Sequence, residues 1–335
     1  MVSRMTVRPL HPGVDIVLNE SERDGITQAL LHGSWQRPAL YDLVRALGAR
    51  RVLDLGGHIG TFALFAASQG CRVLSVEASP KNANLLRASA SHNGFDQLTV
   101  SCTAVGEAAG VARFLQAGPY GFVSTAERPA TIEVPVTTVD ALLAELQWGD
   151  VDLVKMDIEG SEVRALRGMT GLLRTAAPTI VFESNGHTLH LLGQRPSDIR
   201  VLLDAAGYEC FLLRGRRIVP VTPHELQPEC NVDYLAVRGP LPPLEGWPMA
   251  PPRTETERTA AIVASCRDAS PHVRAYIARE LERLDESIDG EGPIAAAMDA
   301  LADDPIGDVS AAAAWWKQAG SRTAAARPAR LDPAE

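Results

Sequence analysis

Several features that mark specialised classes of protein are missing from this 335-residue sequence. Its five cysteines are scattered and form no Cys-x-x-Cys pair, which argues against a zinc ribbon or a disulfide scaffold and favours a reducing compartment. The first residues, MVSRMTVRPLHPG, lack the apolar core of a signal peptide, and no stretch approaches the roughly 18 apolar residues of a membrane span. Positive charge is not in excess either, because 41 acidic and 32 basic side chains give a net charge of -9, which disfavours nonspecific nucleic-acid binding. We therefore expect a cytoplasmic protein that binds neither membranes nor nucleic acid.

The composition is that of a globular protein, since 46% of the residues are hydrophobic and wholesale disorder is thereby excluded. Within residues 51–238, short β-rich runs alternate with helical patterns, as where Arg51–Leu55 precedes Thr61–Ser68, and helices are also predicted over Pro80–His92 and Glu162–Leu173. This alternation predicts an α/β fold with a mostly parallel sheet. Between Val111 and Val139 the pattern predicts extended segments with turns, as an antiparallel excursion or a loop over the sheet. Asn231–Arg238 is predicted to form a hairpin with Glu209–Leu213 and to give the sheet an antiparallel edge.

The length predicts two domains, or one large domain with an appendage. The character of the chain changes at Gly239, where six prolines within fourteen residues block helix formation and predict a stiff linker or a surface strap. The helical region that follows has an apolar stripe around Ile277 and Leu281, which we expect to pack on the core or against a second subunit. The predicted parts are an N-terminal cap segment (1–50), a core (51–238), a proline-rich linker (239–254), a helical extension (255–320) and a disordered tail (321–335).

The strongest local pattern is the run VLDLGGHIG, from Val52 to Gly60, which is typical of a strand, a glycine-rich turn and the start of a helix. A dinucleotide-binding turn requires Gly-x-Gly-x-x-Gly, and His58 stands where the second of these glycines would be, so an NAD-dependent oxidoreductase is disfavoured. Asp54, Gly56 and Gly60 have instead the spacing with which methyltransferases hold the methionine portion of S-adenosylmethionine. The alternative is a plain strand-to-helix turn whose glycines only allow tight packing.

Glu77 ends the next β-rich run, about 20 residues after the glycine turn. An acid at this position can accept hydrogen bonds from both ribose hydroxyls of a nucleoside cofactor. The alternative is a solvated acid that caps the helix starting near Pro80. Together with the glycine turn, Glu77 favours a cofactor site.

The run KMDIEGSE, from Lys155 to Glu162, concentrates three acids where a buried strand is predicted to end. Open α/β sheets bind ligands at the carboxyl ends of their strands. Crowded carboxylates raise one another's pKa, which suits a general base or a metal ligand. The alternative is a helix N-terminus, which fits Glu162 better than Asp157 or Glu159.

From about Gly33 to Arg238 the sequence resembles the FkbM family of S-adenosylmethionine-dependent methyltransferases, in the ordered runs VLDLGGHIG, VEASPKNANLL, TTVDALL, LVKMDIEGSEVRALRGM and PTIVFESNG. The most specific of these runs is the one that begins KMDIEG. The resemblance implies a Rossmann-like class I methyltransferase fold, whose mostly parallel sheet has an antiparallel edge and is followed here by the helical extension. It also implies that S-adenosylmethionine is bound by Asp54, Gly56, Gly57, Gly60, Glu77, Ala78, Asp157 and Glu159.

His58 departs from the family, which usually has asparagine at this place in the turn. Two interpretations stay open. His58 could form a hydrogen bond near the sulfonium and act as a base, or it could replace the asparagine passively. We include it among the candidate catalytic residues.

The resemblance implies transfer of a methyl group to a hydroxyl on a sugar or a secondary metabolite. The protein must align this small-molecule acceptor with the methyl group and accept its proton. Asp157 is the first candidate base, and Glu183 is expected beside it at the end of the next strand. The acceptor itself is expected to depend on the loop at 118–129.

Other interpretations of the same residues remain. A Mg²⁺ ion held by Asp157, Glu183 and Asn185 is a hypothesis that rests on fold-level analogy. An N-methyltransferase acting on a small molecule is the nearest variant, and a catalytically silent interaction protein with the same fold is a more distant one. The C-terminal helices could form a homodimer.

Overall fold

A β-sheet of eight strands organises the larger part of the chain. The computed structural model describes residues 4–115, 121–123, 131–223, 225–227, 229–282 and 292–316. The tail predicted at 321–335 lies outside these residues, and so does most of the predicted acceptor loop at 118–129. The strands are β1 (Met5–His11), β2 (Val14–Asn19), β3 (Arg51–Leu55), β4 (Arg72–Val76), β5 (Leu98–Ser101), β6 (Ala104–Val105), β7 (Gly110–Leu115), β8 (Phe122–Val123), β9 (Thr131–Thr137), β10 (Leu153–Met156), β11 (Thr179–Asn185), β12 (Tyr208–Arg214), β13 (Arg217–Val221) and β14 (Asn231–Arg238).

Helices connect most of these strands, and a short 3-10 helix at Ala39–Asp42 precedes the second of them. None of the helices in the described part of the chain combines the length and the apolar character that crossing a membrane requires. The helices are α1 (Gly25–Leu31), α2 (Leu43–Ala46), α3 (Thr61–Ser68), α4 (Pro80–His92), α5 (Val139–Glu145), α6 (Glu162–Arg167), α7 (Thr170–Thr175), α8 (Gly186–Leu191), α9 (Pro196–Ala205), α10 (Glu255–Cys266), α11 (Pro271–Glu282), α12 (Pro293–Ala302) and α13 (Gly307–Ala312).

The large sheet has the strand order β13-β12-β14-β11-β10-β3-β4-β5. From β11 to β5 the neighbouring strands are parallel. β14 is antiparallel to both of its neighbours, β11 and β12. The hairpin at this edge is formed by β12 and β13, so β14 pairs with β12 as predicted but is not its hairpin partner. The predicted mostly parallel sheet with an antiparallel edge is confirmed. The carboxyl ends of β3, β4, β10 and β11 therefore lie along one edge of the sheet, where open α/β sheets bind ligands.

Two apolar clusters cover the two faces of this sheet. Val52 belongs to one cluster and its neighbour Leu53 to the other, because successive side chains of a strand point to opposite faces. The first cluster includes α3 and the hairpin β1-β2, and the second includes α6 and α9. Both faces of the central strands are thus buried, as their nearly continuous apolar sequences predict.

A smaller sheet of four strands, in the order β6-β9-β7-β8, lies in the chain between β5 and α5. Its strands β7 and β9 are antiparallel, with Phe114 opposite Ile132. The sequence predicts extended segments and turns in this region, and in the structure these segments pair to form the small sheet.

The described residues divide into two compact units, the first within Met1–Glu225 and Asn231–Pro252 and the second within Leu226–Cys230 and Arg253–Glu335. The proline-rich segment belongs to the first unit up to Pro252, and it runs along β13, where Ile218 donates a backbone hydrogen bond to Pro248. The second unit has an apolar cluster of its own, in which Ile277 and Leu281 of the predicted stripe are fully buried.

Candidate active site

The glycine-rich turn connects β3 to α3 and is fixed from two sides. The backbone N–H groups of Gly56 and Gly57 both donate to the carbonyl oxygen of Val76, at 2.9 and 3.1 Å. Gly56 has φ +85°, and a Cβ at this position would overlap the carbonyl oxygen of Asp157. The turn can therefore lie against the end of β10 only because residue 56 is glycine.

Glu77 follows β4 and is only 6% exposed. Its two carboxylate oxygens accept hydrogen bonds from the backbone N–H groups of His58 and Ser79, each at 2.7 Å. Burial raises the pKa of Glu77 above its ordinary value, against the effect of these hydrogen bonds. Because a carboxylate offers about four lone-pair positions, it keeps capacity for two more donors, such as a pair of ribose hydroxyls.

Lys155 connects the glycine turn to the acidic residues and was not among the predicted site residues. Its Nζ donates to the carbonyl oxygen of Gly56 at 3.1 Å, and it lies 3.3 Å from Asp157 Oδ2 and 3.6 Å from Asp54 Oδ1. Burial alone would lower the pKa of Lys155, but the carboxylates of Asp157 and Asp54 raise it above its ordinary value. Lys155 is thus a positive charge held between two carboxylates at the wall of the site. A lysine within an otherwise apolar strand was the signal in the sequence that could have identified it.

Asp54 lies beneath the turn rather than in the wall of the site. Its side chain is 0% exposed, and Oδ2 accepts a hydrogen bond from Ser75 Oγ at 2.9 Å. Burial raises the pKa of Asp54, and the nearby Lys155 opposes this effect. The contacts of Asp54 in the structure are therefore with Ser75 and Lys155.

Three carboxylates meet after β10 and within β11. Asp157, Glu159 and Glu183 each place one oxygen within 4.8 Å of the others. Burial raises the pKa of Glu159 to about 8, and the charges of Asp157 and Glu162 act in the same direction. Burial likewise raises the pKa of Glu183 to about 9, together with the charges of Asp157 and Glu159.

Asn185 is close to this cluster but faces it with its amide nitrogen. Its Nδ2 donates to Glu159 Oε2 at 3.3 Å, while its Oδ1 accepts hydrogen bonds from the backbone N–H groups of His187 and Thr188 at the start of α8. The three oxygen donors that the structure brings together are therefore Asp157, Glu183 and Glu159, with Asn185 beside Glu159.

Asp233 is a further acid near this cluster that sequence reasoning missed. It lies on β14 directly opposite Glu183 in the antiparallel register of β11 and β14. Burial raises its pKa to about 6, and the charge of Asp157 acts in the same direction. The sequence predicts β14 as a strand but not its place beside β11, so it gave no signal for this contact.

His58 lies in the turn with φ +47°. Burial lowers its pKa to about 4, although the acidic side chains of Asp24 and Asp157 oppose this shift. The imidazole is therefore neutral at neutral pH, and among the described residues its buried Nδ1 has no hydrogen-bond partner.

A single cleft brings most of these residues together. Lys155 and Ile26 also line it, the latter from the N-terminal segment. Within the described part of the chain, Asp54, Gly57, Gly60, Glu183 and Asn185 lie outside its lining. The predicted site residues that line the cleft are Gly56, His58, Glu77, Ala78, Asp157 and Glu159.

The lining of the cleft fits S-adenosylmethionine. Glu77 has two lone-pair positions left for ribose hydroxyls, and the missing side chain of Gly56 leaves the turn open to close approach. Asp157 and Glu159 would face a sulfonium cation with negative or polar oxygen atoms. Together these groups accommodate the sugar and the positive charge of this cofactor.

Comparison with known proteins gives a consistent result for the central part of the chain. The family model described as "Methyltransferase FkbM domain" matches residues 54–210. No curated protein sequence matches the chain.

Solved structures of methyltransferases are similar to part of the chain. Methyltransferase FkbM from Methylobacillus flagellatus KT is 20% identical with a TM-score of 0.37, and the similarity covers 56% of this chain and 43% of that protein. The O-methyltransferase from Bacillus cereus in complex with SAH is 15% identical with a TM-score of 0.39, covering 65% of this chain and 93% of that protein. Precorrin-6y C5,15-methyltransferase from Geobacter metallireducens GS-15 is 13% identical with a TM-score of 0.35, covering 60% and 86%. The chain thus spans less than half of the length of the Methylobacillus protein.

Proposed function

We propose that the chain is an S-adenosylmethionine-dependent methyltransferase that methylates a hydroxyl group of a small polar acceptor, since residues 54–210 match the family model of the FkbM methyltransferase domain. A sugar or a secondary metabolite is the acceptor class that we propose, and the cytoplasm is the proposed location. The observation that carries the proposal is the position of Asp157, which lines the cleft with its Oδ2 3.3 Å from Lys155 Nζ.

Asp157 is suited to receive the proton of the acceptor. Its side chain is 38% exposed, whereas the neighbouring Glu159 is buried, so Asp157 is the more accessible carboxylate of the two. The Nζ of Lys155 lies 3.3 Å from Asp157 Oδ2 and orients this carboxylate, which could accept the proton of the acceptor.

S-adenosylmethionine supplies an activated methyl group, so the remaining task of the chain is to bind, orient and deprotonate. The glycine turn and Glu77 would hold the cofactor, and Asp157 lines the same cleft next to the turn. An acceptor hydroxyl beside the cofactor would lose its proton to Asp157 as its oxygen bonds to the methyl carbon and the bond from that carbon to sulfur breaks, which leaves SAH. His58 is neutral, and we propose that its ring orients cofactor or acceptor by a hydrogen bond and that Glu183, which places an oxygen within 4.8 Å of one of Asp157, helps to position that side chain.

The test is transfer of a labelled methyl group to a panel of matched alcohols and amines. We expect transfer to alcohols, and we expect Asp157→Asn to reduce turnover by about 100-fold or more, since general base catalysis contributes about 10²- to 10⁴-fold. Cofactor affinity should change far less, and the exposed Asp204→Asn serves as the control. Transfer to amines alone would establish the nitrogen alternative, and near-normal turnover of Asp157→Asn would remove Asp157 as the base.

A Mg²⁺ ion is a second ligand that we propose, at the acidic cluster beside the cleft, on the ground that Asp157, Glu159 and Glu183 place oxygens within 4.8 Å of one another. Oxygen ligands are those that Mg²⁺ prefers, and a bound cation would lower the pKa of an acceptor hydroxyl. In this proposal Asn185 supports Glu159. Dialysis against a chelator should then reduce methyl transfer at least tenfold, and addition of Mg²⁺ should restore it. Full activity after chelation would show that methyl transfer does not require a metal ion and would contradict this proposal.

A further inference from the structure

A second cleft, of about 640 Å³, opens beside the cofactor cleft and is lined by α6 and the small four-stranded sheet. The two clefts share Val105, Val123 and Ser161 in their walls. The rest of the second wall consists mainly of glycine, alanine and valine residues from β7, β9 and the turn between β6 and β7, together with Glu107 and Arg164. A molecule that reaches the cofactor cleft could therefore extend into this second space.

Ser161 presents an unused polar group at the junction of the two clefts. Its side chain is 4% exposed, it forms no capping hydrogen bond at the start of α6, and its Oγ has no hydrogen-bond partner within the described part of the chain. Buried hydroxyl groups in folded proteins are nearly always hydrogen-bonded. A partner for this hydroxyl is therefore to be expected from a molecule bound in the clefts.

Arg164 is the second unused group. It lies three residues after Ser161, which places both side chains on the same side of α6, and both line the second cleft. Among the described residues, the guanidinium of Arg164 takes part in no hydrogen bond and no ion pair. A partly buried arginine without a partner offers five donors and a full positive charge.

The other charges around this cleft are already balanced. Glu107 forms an ion pair with Arg167, with Nη1 3.3 Å from Oε2. The side chains of that pair are about half exposed, so it contributes little attraction or repulsion of its own. The net charge that the second cleft offers to a ligand is thus the positive charge of Arg164.

We propose that Ser161 and Arg164 form an acceptor subsite that binds an anionic group, either a carboxylate or a phosphate. The guanidinium fork matches both anions in two-point geometry, and the Ser161 hydroxyl would donate a further hydrogen bond. This inference rests on the proposed function and adds the charge of the acceptor to it. The acceptor carries its anion in the second cleft and presents its hydroxyl to Asp157 in the first.

The test uses three small probes with the same carbon chain: glycerate, glycerol 3-phosphate and glycerol. Each is titrated into the full-length protein and followed by NMR, with and without saturating SAH. We expect at least one of the anions to bind ten times or more tightly than glycerol, because charge-assisted hydrogen bonds are the stronger ones. Binding of glycerate alone identifies a carboxylate site, and binding of glycerol 3-phosphate alone identifies a phosphate site.

Single substitutions separate this subsite from general charge effects. Arg164→Gln should abolish the preference for the anion, and Arg164→Lys should keep part of it. Arg174→Gln, which removes the same charge at an exposed position of α7 outside the lining of this cleft, should leave it unchanged. Equal binding of glycerol and both anions, or an unchanged preference in Arg164→Gln, would overturn the proposal. Failure of SAH to bind would instead contradict the proposed function, and the titrations without SAH would still measure the anion site.

Discussion

Gly56 is the residue through which the cofactor turn and the acidic strand contact each other. Its carbonyl oxygen accepts a hydrogen bond from Lys155, its N–H group donates to Val76, and its Cα lies against the carbonyl group of Asp157. A side chain here would force the turn away from β10. The distance between the two halves of the site therefore depends on this one residue.

Gly56→Ala should weaken cofactor binding as well as stability, because it combines the left-handed φ of +85° with overlap on the Asp157 carbonyl oxygen. Gly70→Ala is the matched control, since Gly70 has φ +83° and its Cβ would meet nothing within 4 Å. We expect Gly70→Ala to lower the free energy of unfolding by about 1–2 kcal/mol and to leave cofactor affinity unchanged. The measurements are urea unfolding and calorimetric titration with S-adenosylmethionine, and equal effects of both variants would contradict the steric account.

The sequence predicts a site residue where the local motif around that residue fixes its position in the site. Gly56 and Glu77 could be predicted because the motif itself, a strand followed by a turn, sets their position. Lys155 stands out in the sequence only as a lysine within an otherwise apolar strand, and its role, like that of Asp233, depends on contacts across neighbouring strands. The burial of Asp54 beneath the turn, where Ser75 holds it, was hidden for the same reason.

At the scale of elements, the order of the strands concentrates negative charge at one edge. β10 leads into Asp157 and Glu159, while β11 carries Glu183 and β14 places Asp233 opposite to it. The raised pKa values of Glu159 and Glu183 arise from burial and from the nearby acidic side chains, which the neighbouring strands bring together.

The stability of the protein should consequently depend on pH in a direction that these shifts determine. In the folded state the pKa of Glu183 is raised to about 9 and that of Glu159 to about 8, against an ordinary value of 4.5 for the unfolded chain. The folded state thus binds protons more tightly than the unfolded chain between these values. The contribution to stability is complete below about pH 4.5 and is lost as the pH rises towards 8 and 9.

Glu183→Gln tests this directly, because glutamine keeps the shape and cannot ionise. In metal-free buffer, the loss of unfolding free energy between pH 5 and pH 8 should be smaller in Glu183→Gln than in the unmodified protein, by on the order of 1 kcal/mol. Glu209→Gln, an exposed position on β12, should retain the full loss. Identical pH profiles of all three proteins would show that Glu183 ionises normally in the folded state.

Local sequence predicts several elements with their observed bounds, among them Thr61–Ser68, Pro80–His92 and Asn231–Arg238. The helix predicted over Glu162–Leu173 is instead two helices, with a break at Gly168. A Cβ at Gly168 would overlap the carbonyl oxygen of Gly106, so a close contact with a distant part of the chain shapes this break. The hairpin β1-β2 was missed because it is stabilised by packing against α4, a contact that the local pattern does not contain.

At the scale of the whole molecule, the described residues that line the cofactor cleft all belong to the first unit. The second unit buries Ile277 and Leu281 in an apolar cluster composed of its own residues. The length of the chain predicts such an appendage, whereas the inclusion of Leu226–Cys230 in it requires the three-dimensional structure. A homodimer through the C-terminal helices remains a prediction for measurement of molecular mass in solution.

The most direct test of the account is calorimetric titration of the full-length protein with S-adenosylmethionine, with Glu77→Ala as the variant and the exposed Glu209→Ala as the control. We predict binding by the unmodified protein and the control, and affinity lower by about 100-fold in Glu77→Ala, since the variant loses charge-assisted hydrogen bonds to the ribose hydroxyls. Circular dichroism should show that the variant is folded. Absence of binding by the unmodified protein, or equal affinity in Glu77→Ala, would contradict the assignment of this cleft to the cofactor.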